Sequence, residues 1–267
     1  MPFKAIDRYG NEITADKCSI NDKGKDFYCL TKGCKAILRL VHADDPENAF
    51  FRRIPSSAPH MNVDCVRCSM IFNEHKHDES MFFPDEMFSY VLATPRESKH
   101  SGSSGTKNIR TAPRSAAKTI RTMYEILCKY GINGYYNGFK LGDIFATYEN
   151  YEFYKENLSG KHIVEVSFYY KPYKENYLIF NYPYDYKSEH MYVRVNFPDK
   201  YKAIEYYKRF KEKSHTDILL ICGEWRKCDE IFVSKQKDRA ANTWKEIEKI
   251  ISFECDYISG RQIYDPS

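Results

Sequence analysis

The feature that most restricts this chain is a crowd of metal-ligand residues near its start: Cys18, Cys29, Cys34, Cys65 and Cys68, with His42, His60, His75 and His77 among and just beyond them. Within it, FYCLTKGC places four residues between Cys29 and Cys34, and PHMNVDC repeats that interval between His60 and Cys65. Two short pairs of this kind can deliver four ligands to one tetrahedron, and Gly33 supplies the permissive backbone that a tight thiolate turn requires. Thiolate and imidazole together suit Zn2+, which takes such ligands in closed structural sites and needs no redox partner. The first 92 residues hold few long apolar runs, so a bound metal would add folding energy that a thin core lacks. Buried thiols beside an incidental histidine are the competing reading, but two pairs in register are a rarer coincidence than one. The expected ligands are therefore Cys29, Cys34, His60 and Cys65, with the C-x-x-C of Cys65 and Cys68, or His75 and His77, as competitors.

Nine cysteines cannot all pair as disulfides, and the opening MPFKAIDRYGNEITADKCS lacks the apolar core of a secretory signal. No stretch reaches the roughly 18 apolar residues of a membrane helix, and the cleanest run, at 218–222, is strand-sized. The expectation is a cytoplasmic protein whose thiols are metal ligands or small buried hydrophobes. Cys128 falls in a helical pattern and Cys222 ends the strand-like run, which puts both in the second group; Cys228 and Cys255 stand alone.

Residues 3–65 also carry a recognisable order. A short opening strand in KAIDRYGNEI is followed by a turn, the Tyr-Cys start of FYCLTKGC, a strand over 36–41, the aromatic-basic step AFFRR, and the His and Cys of PHMNVDC. In this order the segment resembles the amino-terminal zinc-finger-like module of competence CoiA-like proteins. The resemblance covers about a quarter of the chain. It departs from the family in a longer first knuckle without proline, and in a His-Phe-Ala-His step that here reads Phe50, Phe51, Arg52 and Arg53, with the histidine falling later at His60. The resemblance implies a zinc module. A nuclease-like domain often follows that module in the family, and its residues have to be sought separately.

Across 93–122 the composition changes: HSGSSGT lies at the centre, Pro95 and Pro113 interrupt, and no apolar periodicity starts before Ala116. Seven Lys and Arg face the single acid Glu97 here, more positive charge than the net +4 of the whole chain. A basic arm of this kind can track phosphates by counterion release, with Arg110 and Arg114 as candidate contacts; a linker that is basic for solubility is the plainer reading. A helix is expected from Pro113, capped by Thr111, with Ala117, Ile120, Tyr124 and Leu127 at helical spacing and Gly131 as its stop. A second helical stretch follows around 143–157. The chain thus divides into a zinc-binding module at 1–92, a basic linker at 93–113, a helical connector at 114–158, and a last domain at 159–254.

In that last domain the periodicity turns to two. Strands are expected at 163–170, 177–182 and 190–197, where Met191, Val193, Val195 and Phe197 share one face. Asp199 opens a helix to about Lys213, with Ile204, Tyr207 and Phe210 on a common side. A buried strand follows at 216–223 and a short last one at 230–234. The order β-β-β-α-β-β resembles an OB-fold, a small Greek-key barrel with a helix between its third and fourth strands. From Asp238 the spacing of Ala241, Trp244, Ile247 and Ile251 predicts a helix packed back on the barrel. The expected class is α+β: a β-rich zinc module, a helical connector, and a five-stranded OB-like barrel with a carboxy-terminal helix. An unrelated five-stranded α+β domain would give the same element order.

On such a barrel the binding surface can be named in advance. The polar face of the third strand carries Tyr192, Arg194 and Asn196. The loop after the first strand offers Tyr169, Tyr170, Lys171, Tyr173 and Lys174, and the loop after the fourth offers Trp225, Arg226 and Lys227. Stacked aromatics contribute about 1–3 kcal/mol per base and cations follow the backbone, so this set suits single-stranded or structured nucleic acid, DNA or RNA. The same residue types suit a protein interface, and tyrosines also fill half-buried sheets in a chain with 23 Tyr against 2 Trp. Charge does not decide, because residues 160–237 hold 15 basic and 11 acidic side chains.

A metal-dependent nuclease needs an Asp and a Glu-x-Lys set converging on one cation. Asp217, Glu224 and Arg226 come nearest, but on one extended strand seven steps of about 3.3 Å put the two carboxylates roughly 23 Å apart. Asp143 could replace Asp217, though no spacing singles it out. Phosphate-loop, nucleophile-elbow and His-Glu-x-x-His signatures are absent. The functional expectation is a non-catalytic, zinc-stabilised nucleic-acid-binding protein, with a protein-interaction adaptor as the alternative and a nuclease third.

Overall fold

The computed structural model describes residues 3–46, 49–54, 56–58, 60–61, 65, 70, 72, 77–94, 115–172, 175–183, 191–213, 217–238 and 243–266, with the backbone alone at 235–238 and 243–245. The amino-terminal strands are short, because the apolar positions that define them come in twos and threes. They are β1 (Lys4–Ile6), β2 (Glu12–Thr14), β3 (Phe27–Tyr28), β4 (Ile37–Val41) and β5 (Phe50–Arg53), in the sheet order β2-β1-β3-β4-β5. Alternation along β4 buries Leu38 and Leu40, which join Ala5, Phe27 and Phe51 in a small core, with the Phe27 and Phe51 rings 4.7 Å apart.

A helical layer follows. Pro84, at the first position of a helix, starts α1 (Pro84–Val91), which buries Met87, Phe88 and Val91. Helix α2 (Ile120–Tyr130) begins at Thr119, whose hydroxyl accepts the Thr122 N–H, and ends at Gly131 with φ +73°. The expected start at Pro113 and cap at Thr111 lie outside the described residues, and Ala117 precedes the helix rather than opening it. Ile120, Tyr124 and Leu127 are buried as their spacing predicts. The second expected helix, around 143–157, is instead broken. A hairpin of β6 (Tyr135–Tyr136) and β7 (Phe139–Lys140) leads into α3 (Leu141–Ile144), β8 (Phe145–Ala146) and α4 (Tyr151–Asn157). The break has a local cause: the Asn150 side chain takes the Thr147 N–H and donates to the Phe145 carbonyl, closing a turn where a helix would need those groups. Residues of α1, α2 and α3 share one core with Met70, Phe72, Leu220 and Cys222.

The last region is built from β9 (Gly160–Tyr170), β10 (Tyr177–Tyr182), β11 (Met191–Asn196), α5 (Lys200–Phe210), β12 (Ile218–Asp238), β13 (Thr243–Asp256) and β14 (Ile263–Tyr264). Strand β9 pairs with β10, β10 with β11, β11 in parallel with β13, and β13 with β12. The first half of β12 pairs back onto β9, Ile218 opposite Ser167 through Trp225 opposite Gly160, so the five strands close into a ring. Strand β8 lies parallel to β9, and β14 pairs with β12 at Leu220 and Ile221. Inward residues of the ring, among them Val164, Val166, Leu178, Phe180, Val193 and Trp225, form its core. Helix α5, capped by Asp199, covers one end with Ala203, Tyr206 and Phe210; the buried face is rotated slightly from the expected one, leaving Ile204 and Tyr207 half-buried. Gly223 is required inside, since a Cβ there would stand 2.7 Å from Cys255 Sγ.

Two expectations about this region are overturned. The strands expected at 216–223 and 230–234 are one continuous strand of 21 residues, β12, and the helix expected from Asp238 is the strand β13. Ile247 and Ile251 are four apart, an interval that fits both a helical turn and two period-two repeats of a strand. The discriminating signal is further on, where Ile251, Phe253 and Cys255 alternate and are all buried. Beyond the ring, the second half of β12 and the first half of β13 continue as a hairpin arm, paired from Glu230 opposite Ile251 to Asp238 opposite Thr243. The amino-terminal module meets the barrel at Arg53, whose guanidinium lies 3.8 Å from the buried Asp217 carboxylate.

Candidate metal centre and the outer face of the barrel

The connection from β3 to β4 is a tight knuckle. Cys29 N–H donates to the Ala36 carbonyl at 3.4 Å, Cys34 N–H to the Thr31 carbonyl at 3.0 Å, and Thr31 N–H to Cys29 Sγ at 3.5 Å. Gly33 adopts φ +85°, a left-handed conformation that a side chain would strain. After β5, the Ser57 hydroxyl donates to the Ile54 carbonyl at 2.8 Å and lies 3.3 Å from the Ile37 carbonyl, which ties the returning chain to β4 ahead of His60. The ligand atoms of Cys29, Cys34, His60 and Cys65 then all lie within 4.8 Å of one another, with His60 Nδ1 3.8 Å from Cys34 Sγ. Around a tetrahedral ion with bonds of about 2.0–2.3 Å, neighbouring ligand atoms stand roughly 3.3–3.8 Å apart, so a small contraction completes coordination.

Cys29, His60 and Cys65 are buried and Cys34 is partly so. Without a cation, the hydrogen bond with Cys65 and burial push the Cys29 thiol far up, so a divalent ion entering this cluster displaces protons. Of the competitors, Cys68 and His75 lie outside the described residues. His77 is engaged elsewhere: its ring stacks on Phe72 and its Nδ1 is 3.3 Å from the Ser115 carbonyl. Cys18 belongs to the core of the small sheet, and Cys222 and Cys255 to buried positions of the barrel region.

The outer face of β10 and β11 is a second, smaller apolar cluster. Ile179 and Tyr192 meet Phe232 and Ile251 there, with Tyr169, Tyr170 and Tyr177 partly exposed around them. Lys249 places its ammonium 4.4 Å from the ring centres of both Tyr169 and Tyr192 and hydrogen-bonds the Tyr192 hydroxyl. Arg194 lies in the same face, but its charge is engaged. Its Nε donates to Glu254 at 2.7 Å and its Nη1 to Glu230 at 2.7 Å, and its side chain is only 11% exposed. Asn196 donates to Glu254 and Asp256, and Arg226 forms ion pairs with the same two acids.

Burial works against the Glu254 carboxylate, yet donors from Asn196, Arg194 and Arg226 outweigh it and hold its pKa below the ordinary value of 4.5. A carboxylate depressed by folding stabilises the native state above its unfolded pKa, and that contribution fades as pH falls through the native value. The melting temperature is therefore expected to drop as pH falls below about 4.5, and Glu254→Gln should flatten this part of the profile while lowering the plateau at neutral pH. Melts recorded across that range check it; an unchanged acid limb in the variant would contradict the assignment.

Other expected contacts fall differently. Trp225 is in a strand rather than a loop and is fully buried in the barrel core, its Nε1 donating to the His162 carbonyl at 3.3 Å. Lys227 is exposed and pairs with Asp229. Lys171 hydrogen-bonds the Pro172 and Glu175 carbonyls at the start of the β9–β10 loop. Tyr173, Lys174, Arg110 and Arg114 lie outside the described residues. Asp217 lies just before β12 and Glu224 near the far end of its β9-paired half, one buried against Arg53 and the other exposed, so they share no ion. Sequence reasoning missed Phe232, Lys249 and Glu254 because it ended the sheet too early; the period-two run through β13 was the signal that could have found them.

No protein-family model matches this chain, and neither does any curated protein or any solved structure. Among the described residues no helix is long and apolar enough to cross a membrane.

Proposed function

We propose that this chain is a zinc-stabilised nucleic-acid-binding protein in which an OB-like barrel holds a single strand. The observation that carries this reading is the outer face of β10 and β11, where the Lys249 ammonium sits on the rings of Tyr169 and Tyr192, with partly exposed Tyr170 and Tyr177 on the same apolar cluster. Its support from topology is the ring β9-β10-β11-β13-β12 with α5 between the third and fourth strands, the arrangement of an OB-fold. OB-folds bind strands on the faces of their second and third strands, flanked by the first and last interstrand loops. In this reading Tyr192 forms the floor of the stacking surface, and Lys249, Lys171 and Lys227 replace Arg194 and Arg226 as the phosphate contacts. Zinc, held by Cys29, Cys34, His60 and Cys65, is structural. The resemblance of residues 3–65 to the CoiA-like module fits a protein that works near nucleic acid.

Fluorescence anisotropy with labelled single strands tests this. Binding should weaken steadily as salt rises, and Lys249→Gln should reduce the salt slope by about one. Tyr169→Ala should cost about 1–3 kcal/mol of affinity if a base stacks there. No binding at low salt, or binding indifferent to salt, would sink the proposal. The runner-up, a protein-interaction adaptor, draws on the exposed Ile231, Val233 and Ile250 of the hairpin arm. A co-purifying partner lost on Ile231→Lys but kept on Tyr169→Ala would select it.

A further inference from the structure

Far from the metal centre in sequence, the turn Tyr136-Asn137-Gly138-Phe139 joins β6 to β7 with Asn137 at φ +47° and Gly138 at φ +77°. Two consecutive left-handed residues make the tight turn that Asn-Gly favours. The Asn137 N–H donates to Glu79 Oε1 at 2.6 Å, and its side-chain amide donates to the Phe82 carbonyl at 2.8 Å. The hairpin is thereby pinned beside the start of α1. Between them and α3 lies a cavity of about 440 Å³, within the range of small-ligand sites.

Its lining is chemically one-sided. Phe88 and Ile144 are buried, whereas Phe83, Tyr135 and Phe139 remain 48%, 60% and 38% exposed around it. The Phe83 and Phe139 rings meet at 73° with centroids 6.3 Å apart, giving two walls set nearly at right angles. Asp85 and Asp143 line the same cavity with Lys140, so its formal charge is one negative in excess. Among the described residues the Asp85 carboxylate has no hydrogen bond or ion pair.

We propose that this cavity binds an organic cation, an ammonium or guanidinium carried on an apolar stem. Aromatic faces present negative charge, so crossed rings attract a soft, weakly hydrated cation and leave its stem in apolar contact. The carboxylates add the counter-charge and disfavour an anion. A purely apolar ligand would draw nothing from Asp85 and Asp143, and the pinned hairpin keeps the walls in place before a ligand arrives. This site is independent of the nucleic-acid reading, since it uses neither the barrel face nor the metal centre.

The test is an NMR titration of the full, metal-loaded chain with choline, and with the carbon isostere of choline in which tert-butyl replaces trimethylammonium. Choline should shift the Phe139 and Tyr135 resonances saturably, and the isostere should bind roughly ten-fold more weakly or worse. Asp85→Asn and Asp143→Asn should each weaken choline about five-fold with melting curves nearly unchanged, because these carboxylates are exposed, and Phe139→Ala should weaken it about ten-fold. A short peptide carrying trimethyllysine separates the sources: binding well above choline indicates a partner protein, and equal binding a free amine. Equal binding of the isostere, tighter binding of benzoate, or no saturation by any of the cations below roughly 100 mM would overturn the proposal.

Discussion

Protein purified without added metal is expected to carry one equivalent of zinc, and removing it with a strong chelator should unfold the amino-terminal module while the barrel stays folded. The small sheet buries only Ala5, Phe27, Leu38, Leu40, Phe51 and a few small residues in its own core. Structural zinc contributes apparent free energies of about 10–16 kcal/mol in finger peptides, far more than such a core can add. Cys65→Ser should reproduce the effect of chelation, whereas Cys18→Ser, in the apolar core and outside the four-residue cluster, should retain the metal. Elemental analysis gives the stoichiometry, and hydrogen exchange along the chain locates the loss. Near-zero metal in the wild type, or unaltered protection of β3 and β4 after chelation, would refute the centre.

The second large effect concerns Trp225. Placed by its neighbours Arg226 and Lys227 on a binding loop, it instead fills the barrel beside Gly223 and Cys255. Trp225→Ala should therefore cost about 3–5 kcal/mol of stability, as for other large aromatics removed from cores. In a chain of this size that is a fall of roughly 10 °C in Tm. Trp225→Phe should recover much of it, leaving the His162 carbonyl without its indole donor. Thermal melts decide the matter: a Tm unchanged by Trp225→Ala, with affinity for a ligand reduced, would return the residue to the surface.

The metal cluster and Trp225 mark where the sequence was legible and where it was not. The four residues of the candidate metal centre could be read because their spacing is local and their chemistry narrow; few other arrangements satisfy two Cys and His pairs flanking a strand. Strands β10 and β11, and helix α5 with its Asp199 cap, were legible for the same reason, each carrying its own periodicity and punctuation. The end of the sheet was not. Trp225 through Ser234 lacks alternation because a register shift between Lys227 and Glu230, with Asp229 at φ +54°, rephases the strand midway. Such a bulge erases the pattern that would declare a single long strand. Nor could sequence foresee that Arg194 would be neutralised, since its partners Glu230 and Glu254 are brought to it only by tertiary pairing.

The length of β12 has a mechanical meaning. One uninterrupted polypeptide ladder serves both as a stave of the barrel, clamped to β9, and as one rail of the hairpin arm. There is no loop between stave and rail to act as a joint, and Phe232 and Lys249 brace the arm against Tyr169 and Tyr192 of the barrel. Its angle is set at the bulge between Lys227 and Glu230, beside the Arg194 ion pairs. A pull on the arm's tip is therefore shared between that root and these side-chain braces, and passes directly into the staves that carry the tyrosines.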